Sequence, residues 1–120
     1  MDRGGRRHRR LGGVRRGDFV TAVAPGTYGK PRPMLVFQAD EFGDLTSVTV
    51  LPLTSHLHAW PSLRVSLEPD AENGLREPSQ IMIDKAVTLP VAKIGRPIGT
   101  ASAATLMLVD VTLARFLALA

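Results

Sequence analysis

Cysteine is absent from this 120-residue chain, which excludes a disulfide framework, a thiolate metal site and a cysteine nucleophile. The apolar runs are short, and none has the length that a membrane-spanning helix requires. The arginine-rich start also lacks the apolar segment of a signal peptide. Because 120 residues with 44% hydrophobic content suffice for one core, we expect a soluble intracellular protein with a single domain.

Basic residues are concentrated at the start of the chain. Seven of the 15 Lys and Arg residues fall within residues 1–16, which leaves eight against ten acidic residues from Gly17 onward and a net charge of −2 there. Residues 1–13 are rich in Gly and Arg and cannot bury enough apolar surface to offset the entropy of ordering. We therefore predict a disordered extension over residues 1–14, either solvated or docked on RNA phosphates, and a domain over residues 15–120.

From Gly17 onward, short apolar runs alternate with turn residues, and one helical pattern ends the chain. A helix with Thr100 or Ser102 as its N-cap is expected to run to about Leu119. Its apolar stripe is wide, so either a partner covers one face or the whole helix is buried. The pattern predicts an α+β fold, a small antiparallel β-barrel with a C-terminal helix, whose strands are Asp18–Ala24, Pro33–Asp40, Ser47–Thr54, Leu63–Glu68 and Ser79–Val87.

An arginine between two prolines stands at the start of the second predicted strand. Pro31 and Pro33 restrict the backbone around Arg32 and remove two N–H donors, so this segment is stiff and cannot be helical. A guanidinium in a stiff setting suits phosphate recognition, because it is always charged and donates in a planar, bidentate geometry. The alternative is a solvated arginine at a strand edge.

Two histidines and the single tryptophan follow the third strand. Imidazole is the side chain that titrates nearest neutral pH, yet His56 and His58 fall in a predicted loop, and their spacing by itself fits no metal motif. We therefore interpret both as surface residues. Trp60 could stack on a nucleic-acid base, although a lone tryptophan is more often a core or dimer anchor.

Several motifs resemble those of one protein family, the PemK/MazF toxins of bacterial toxin–antitoxin systems. They occur in the same order along the predicted strands and span most of the chain from Arg16 to the last helical turn. The motifs are Arg16-Gly17-Asp18-Phe19-Val20, Tyr28-Gly29-Lys30-Pro31-Arg32-Pro33, Val50-Leu51-Pro52-Leu53-Thr54-Ser55, Asn73-Gly74-Leu75, Pro78-Ser79-Gln80 running to Asp84-Lys85, and Ile98-Gly99.

The resemblance implies an SH3-like barrel that forms a homodimer in the cytoplasm. It further implies cleavage of single-stranded RNA at short sequences, without metal or cofactor, and neutralisation by a cognate antitoxin peptide. Transesterification of RNA requires deprotonation of the 2′-hydroxyl, stabilisation of the phosphorane and protonation of the leaving oxygen. Neither cysteine nor metal is needed for these three tasks.

The resemblance also indicates three catalytic residues. Arg32 matches the arginine that acts on the scissile phosphate and is also a candidate for the acid, and Thr54 matches the catalytic threonine, with a strand-capping role as the alternative. Asp84 matches an acid that some members use as the general base, and strand alternation would turn it away from the core. Those members often carry arginine where this chain has Met82, so a salt bridge of Asp84 with Lys30 or Lys85 competes with that role.

Substrate contacts are expected from the loop before Arg32 and from the neighbouring strand ends. Tyr28 can stack on a base and Lys30 can pair with a phosphate, which would separate base selection from positioning. The full set of predicted substrate-binding residues is Thr27, Tyr28, Lys30, Ser55 and Gln80.

Two other functions fit the same fold. Gyrase-directed toxins of the CcdB type share the barrel but use a C-terminal tryptophan motif, whereas this chain ends Leu117-Ala118-Leu119-Ala120. A non-catalytic SH3-like module would bind RNA or a peptide, with Arg32 only pairing with phosphate. Loss of cleavage with retained binding in Arg32→Ala would argue against the second alternative.

Overall fold

The structure is a computed structural model that describes residues 13–120. Seven β-strands, one α-helix and three 3₁₀ helices are described in this part of the chain. The strands are β1 (Asp18–Ala22), β2 (Arg32–Val36), β3 (Ser47–Thr54), β4 (Arg64–Leu67), β5 (Ser79–Met82), β6 (Val87–Pro90) and β7 (Ile94–Thr100). The helix is α1 (Ala103–Phe116), and the 3₁₀ helices are Asp40–Phe42, Ile83–Lys85 and Val91–Lys93.

All described strand pairs are antiparallel and belong to one sheet, in the order β4-β5-β3-β2-β1-β7. The long strand β3 pairs with β2 along one edge and with β6 and then β5 along the other. Because β4 and β7 do not pair with each other among the described residues, hydrogen bonds do not close the sheet. The predicted antiparallel fold with a C-terminal helix is confirmed.

Each face of the sheet carries a hydrophobic core, and the second core covers only part of its face. On one face, residues from neighbouring strands form a core with Val109 of α1; its buried members are Phe19, Leu35, Leu51, Leu53, Val65, Leu75, Ile81 and Ile83. On the other face, part of the sheet carries a second core of Val14, Val20, Ala22, Met34, Val36, Val48, Val50 and Leu89. The rest of that second face is open, and it contains the candidate site described below.

The helix begins as expected from its capping residue. Ser102 is the N-cap, and its Oγ accepts from the N–H of Thr105 at 3.1 Å. The helix ends at Phe116, three residues before the predicted end, because Ala118 adopts a positive φ of 60°. Its outer face leaves Met107, Leu108 and Val111 exposed. None of the described helices is long and apolar enough to cross a membrane.

The predicted Asn73-Gly74 turn lies in the connection between β4 and β5. Asn73 is buried, and its Oδ1 accepts from the N–H groups of Asp70 and Leu75 at 3.1 and 3.0 Å. Gly74 has a φ of +69°, and a Cβ at this position would overlap the carbonyl group of Ile98 in β7. The turn is therefore locked against β7 by a close approach that only glycine permits.

The prediction of one strand over Ser79–Val87 is wrong. The chain forms β5 and β6, with the 3₁₀ helix Ile83–Lys85 between them. The N–H of Ile83 donates to the carbonyl oxygen of Leu63 at 3.0 Å, which draws the turn toward the start of β4. Ile81 and Ile83 are both buried, as the alternation of apolar residues predicts. That alternation therefore contains no signal that the strand ends at Met82.

The ends of three other strands also differ from the prediction. β1 ends at Ala22, β2 at Val36 and β4 at Leu67, so all three stop earlier than expected. Most of the predicted extension over residues 1–14 lies outside the described residues. Val14, however, is buried in the second core, so the packed domain begins at least one residue before the expected start at residue 15.

Candidate active site

A wide groove lies on the open part of the second sheet face. Its floor comes from the ends of β2, β3 and β5, and its walls come from the loops after β1 and β4. Three cationic side chains and one acidic side chain line it, so the groove favours an anionic ligand. These four are Arg32, Arg76, Lys85 and Glu77, and the predicted residues Thr27, Thr54 and Ser55 line it as well.

Arg32 is the first residue of β2 and is exposed to the groove. It pairs with Ala22 of β1, which fixes its backbone beside the flanking prolines. Within residues 13–120, the guanidinium has no hydrogen bond and no ion pair, although Arg16 and Lys85 each contact a carboxylate. All five N–H donors of Arg32 are therefore available to a ligand.

Thr54 is the last residue of β3 and lines the same groove as Arg32. Met34 of β2 pairs with Pro52 of β3, and Arg32 and Thr54 each lie two residues beyond that pair, so strand alternation puts their side chains on the same face. Residues directly opposite in an antiparallel pair present their side chains on the same face. The Oγ1 of Thr54 accepts from the N–H of His56 at 3.0 Å, which orients the hydroxyl. The structure thus brings two of the three predicted catalytic residues together.

The loop after β1 forms one wall of the groove and holds itself in place. Oγ1 of Thr27 donates to the carbonyl oxygen of Ala24 at 2.7 Å, and the N–H of Lys30 donates to the carbonyl oxygen of Thr27 at 3.0 Å. Tyr28 is 95% exposed with a φ of 54°, and Lys30 is exposed. Thr27 belongs to the groove lining, whereas Tyr28 and Lys30 extend into solvent from the same loop.

The side chain of Gln80, a predicted substrate contact, is buried and paired with groups of the protein itself. Oε1 accepts from the N–H of His58 at 3.0 Å, and Nε2 donates to the carbonyl oxygen of His58 at 2.8 Å and to Oγ of Ser66 at 3.2 Å. Only 5% of the residue is exposed. Gln80 therefore anchors the loop of residues 55–61 that follows Thr54.

Asp84 lies in the 3₁₀ helix Ile83–Lys85 and not on a strand, so the alternation of strand residues does not determine which way its side chain points. Its neighbours Met82 and Lys85 line the groove, whereas Asp84 is not among the described lining residues. Oδ2 lies 3.8 Å from Nζ of Lys85, and Oδ1 is buried without a hydrogen-bond partner. The geometry favours the salt bridge with Lys85 over contact with substrate.

The residues that line the groove without having been assigned to the site from the sequence include His56, Arg76 and Lys85. His56 had been assigned to the surface, and it is exposed, but it is exposed to the groove beside Thr54. Arg76 lies on the long β4–β5 connection, whose path over the sheet has no local sequence signal. No group of three or more His, Cys, Asp or Glu side chains is arranged as a metal site in the described part of the chain.

Comparison with known proteins identifies related sequences over nearly the whole domain. Residues 15–117 match the family described as the PemK-like, MazF-like toxin of type II toxin–antitoxin systems. A relative from Mycolicibacterium smegmatis, named probable endoribonuclease MazF, is 41% identical over 108 residues. That match covers 89% of this chain and 99% of the relative.

Solved structures share the fold. The Mycobacterium tuberculosis toxin MazF-mt6 superposes with a TM-score of 0.72 at 27% identity, covering 84% of this chain and 96% of that one. A mycobacterial endoribonuclease in complex with its cognate antitoxin gives a TM-score of 0.75 at 21% identity, covering 89% and 97% of the two chains. The second likeness concerns the fold alone.

Proposed function

Because this chain belongs to the PemK-like, MazF-like toxins of type II toxin–antitoxin systems, we propose that it is an endoribonuclease that cleaves single-stranded RNA by attack of the 2′-hydroxyl. We propose that cleavage requires no metal ion, occurs at specific short sequences and inhibits growth. We propose the cytoplasm as the protein's location, because messenger RNA, the proposed substrate, is found there. The relatives named as endoribonucleases favour this function over gyrase poisoning on the same fold.

The observation that carries the proposal is that Arg32 and Thr54 line the same groove from the same face of the sheet. An arginine without a carboxylate partner in the described chain retains its full charge for a ligand. The hydroxyl of Thr54 lies on the same face of the sheet and in the same groove. A guanidinium and a hydroxyl can together hold the non-bridging oxygens of one phosphate.

In the proposed reaction, the 2′-oxygen of a ribose bonds to the adjacent phosphorus and loses its proton. The bond between phosphorus and the 5′-oxygen breaks, and that oxygen gains a proton. The products carry a 2′,3′-cyclic phosphate and a 5′-hydroxyl. Arg32 stabilises the charge that develops on the phosphorane, and Thr54, held by the N–H of His56, orients the phosphate.

The walls of the groove suit a single-stranded polyanion. Arg76 and Lys85 add positive charge along the path away from Arg32, and Ser55 offers a hydroxyl beside Thr54. Tyr28 and Lys30 extend from the wall loop, where an unstacked base and a backbone phosphate can meet them. These residues would select and position the strand, while Arg32 and Thr54 act on the scissile phosphate.

We also propose that the protein is a homodimer and that a cognate antitoxin peptide neutralises it. The outer face of α1 supports an assembly partner, since Met107, Leu108 and Val111 are exposed there in a row at helical spacing. Burial of such side chains against a second subunit would remove apolar surface from water. Analytical ultracentrifugation of the purified protein tests the oligomeric state.

The test of the function is cleavage of a mixed-sequence RNA in EDTA by the wild-type protein and by three variants. Arg32→Ala should abolish cleavage, and Arg32→Lys should retain little, because an ammonium cannot donate to two phosphate oxygens in the guanidinium geometry. Arg96→Ala is the matched control, since Arg96 is an exposed arginine of β7 outside the groove lining. Product ends are analysed for 2′,3′-cyclic phosphate.

Cleavage by the wild type and Arg96→Ala that leaves cyclic phosphate would support the proposal, and the cut sites would define the sequence rule. Arg32→Ala should still bind RNA in a filter assay. If a folded wild-type protein leaves the RNA intact, the nuclease function is overturned. The remaining functions are then gyrase poisoning and RNA binding without cleavage. Cleavage that requires a divalent cation would overturn the metal-independent mechanism.

A further inference from the structure

The only tryptophan of the chain lies outside both cores and is 48% exposed. The guanidinium carbon of Arg64 lies 5.6 Å from the centroid of the Trp60 ring, over one face of the indole. A partly exposed indole backed by a cation is an arrangement found where proteins stack on bases or on other cations. The position of Trp60 and Arg64 relative to the groove decides whether RNA bound there could reach them.

Strand register places Arg64 on the same face of the sheet as the candidate active site. Thr54 of β3 pairs with Gln80 of β5, and Gln80 pairs with Ser66 of β4, so these three share one face. Arg64 pairs with Met82, two residues further along the same strands and therefore on that face as well. Because Met82 lines the groove, Arg64 lies next to the groove edge.

Trp60 is held at that edge by backbone hydrogen bonds. Its carbonyl oxygen accepts from the N–H groups of Leu63 and Arg64 at 3.0 and 2.9 Å, which ties it to the start of β4. On the other side, its N–H donates to the carbonyl oxygen of His58 at 2.9 Å, and His58 is clamped by Gln80. The indole is thus presented from an anchored loop, and stacking would cost little ordering entropy.

We propose that Trp60 and Arg64 form a nucleotide subsite that extends the RNA groove beyond Met82. This inference rests on the proposed function. The free face of the Trp60 indole stacks on an unpaired base, and Arg64 donates to the phosphate next to it. Within residues 13–120, the guanidinium of Arg64 has no ion pair and no hydrogen bond, so its outer N–H donors are available.

Trp60 itself reports on the subsite, because it is the only indole in the chain. We would titrate the protein with a mixed-sequence RNA whose riboses are 2′-O-methylated, so that no 2′-hydroxyl can attack. Stacking should quench the indole fluorescence in a saturable manner, with an endpoint that matches binding measured by a separate label. Binding without any change in fluorescence would overturn the subsite.

Steady-state cleavage by variants provides the second measurement. Trp60→Ala should raise KM about tenfold or more, within the range measured for loss of one base–aromatic stack, while kcat stays near the wild-type value. Trp60→Phe should recover part of the loss, since a phenyl ring also stacks, and Arg64→Gln should raise KM and reduce the salt dependence of binding. Unchanged KM in Trp60→Ala would overturn the proposal.

The main competing role for Trp60 is a subunit contact. Sedimentation of Trp60→Ala separates the two, because a subunit contact predicts dissociation, whereas the subsite predicts the wild-type oligomeric state. Dissociation of this variant would overturn the subsite. Failure of the wild type to cleave any RNA would overturn the nuclease function, whereas quenching by the methylated RNA would still show a nucleotide on Trp60.

Discussion

The side-chain amide of Gln80 pairs with the backbone of His58 in both directions. Oε1 accepts from the His58 N–H at 3.0 Å, and Nε2 donates to the His58 carbonyl oxygen at 2.8 Å. Since Gln80 pairs with Thr54 across β5 and β3, one residue links the end of β3 to the loop that follows it. The loop carries Ser55 and His56 into the groove and Trp60 to its edge.

Removal of this amide should loosen the loop. Gln80→Ala leaves both backbone groups of His58 without their partner, and we expect a loss of about 1–2 kcal/mol in the free energy of unfolding. The amide hydrogen of His58 should exchange faster with solvent, and kcat/KM for RNA should fall about tenfold as Thr54 and its neighbours lose their fixed geometry. Hydrogen exchange and steady-state cleavage measure the two effects.

Ser66→Ala is the matched control for Gln80, because it removes only the 3.2 Å contact with Nε2. We expect His58 to remain protected in this variant. Equal protection of His58 in the wild type and in Gln80→Ala would show that the clamp does not hold the loop.

Asp84→Asn tests whether this acid is the general base. The substitution keeps the shape of the side chain and removes its charge opposite Lys85. Since Asp84 does not belong to the described groove lining, we expect kcat to stay within about tenfold of the wild-type value, whereas loss of a general base costs about 10²–10⁴-fold. Single-turnover cleavage rates at saturating protein distinguish the two ranges.

Gly74→Ala should be among the most destabilising single-methyl additions to the chain. Its φ is +69°, and the added Cβ would overlap the carbonyl group of Ile98, so the Asn73-Gly74 turn must move away from β7. We expect a loss of about 1–3 kcal/mol from overpacking, in addition to the cost of the positive φ. Urea denaturation with a constant m-value measures the change.

Gly29→Ala isolates the contribution of the backbone angle. Gly29 has a similar φ of +76°, but no atom lies within 4 Å of the position a Cβ would take. This variant should lose only about 1 kcal/mol. Equal losses at Gly29 and Gly74 would mean that the close approach to β7 is not what constrains Gly74.

Arg16 and Asp110 should be coupled energetically. Nη2 of Arg16 donates to the two carboxylate oxygens of Asp110 at 2.8 and 2.9 Å, which ties the segment before β1 to α1. In a double-mutant cycle with alanine at each position, we expect a coupling of about 0.5–1 kcal/mol that decreases with added salt, since Asp110 is half-exposed. Thermal denaturation of the four proteins gives the coupling.

Arg16→Ala should cost more than Asp110→Ala in this cycle, because Nη1 of Arg16 also donates to the carbonyl oxygen of Phe37. A coupling near zero at low salt would contradict the role assigned to the pair.

Local sequence determined several features of this protein without reference to the rest of the fold. The alternation of apolar residues and the turn residues placed β3 with its correct ends, and the capping residues Thr100 and Ser102 limited the start of α1 to two positions, of which the structure uses Ser102. The prolines beside Arg32 similarly indicated a stiff arginine at the mouth of β2. These features depend on neighbouring residues alone, so a pattern of a few residues suffices to predict them.

Tertiary structure decided which residues meet. The pairing of β2 with β3 brought Arg32 and Thr54 to one face of the sheet and into one groove, and the register of β5 with β4 set Arg64 beside Met82. The same packing buried Gln80 against His58 and turned Asp84 toward Lys85. Most of these pairings join residues distant in the chain, and their energies depend on partners that a local pattern does not specify, so the contacts of Gln80 could be read only from the folded structure.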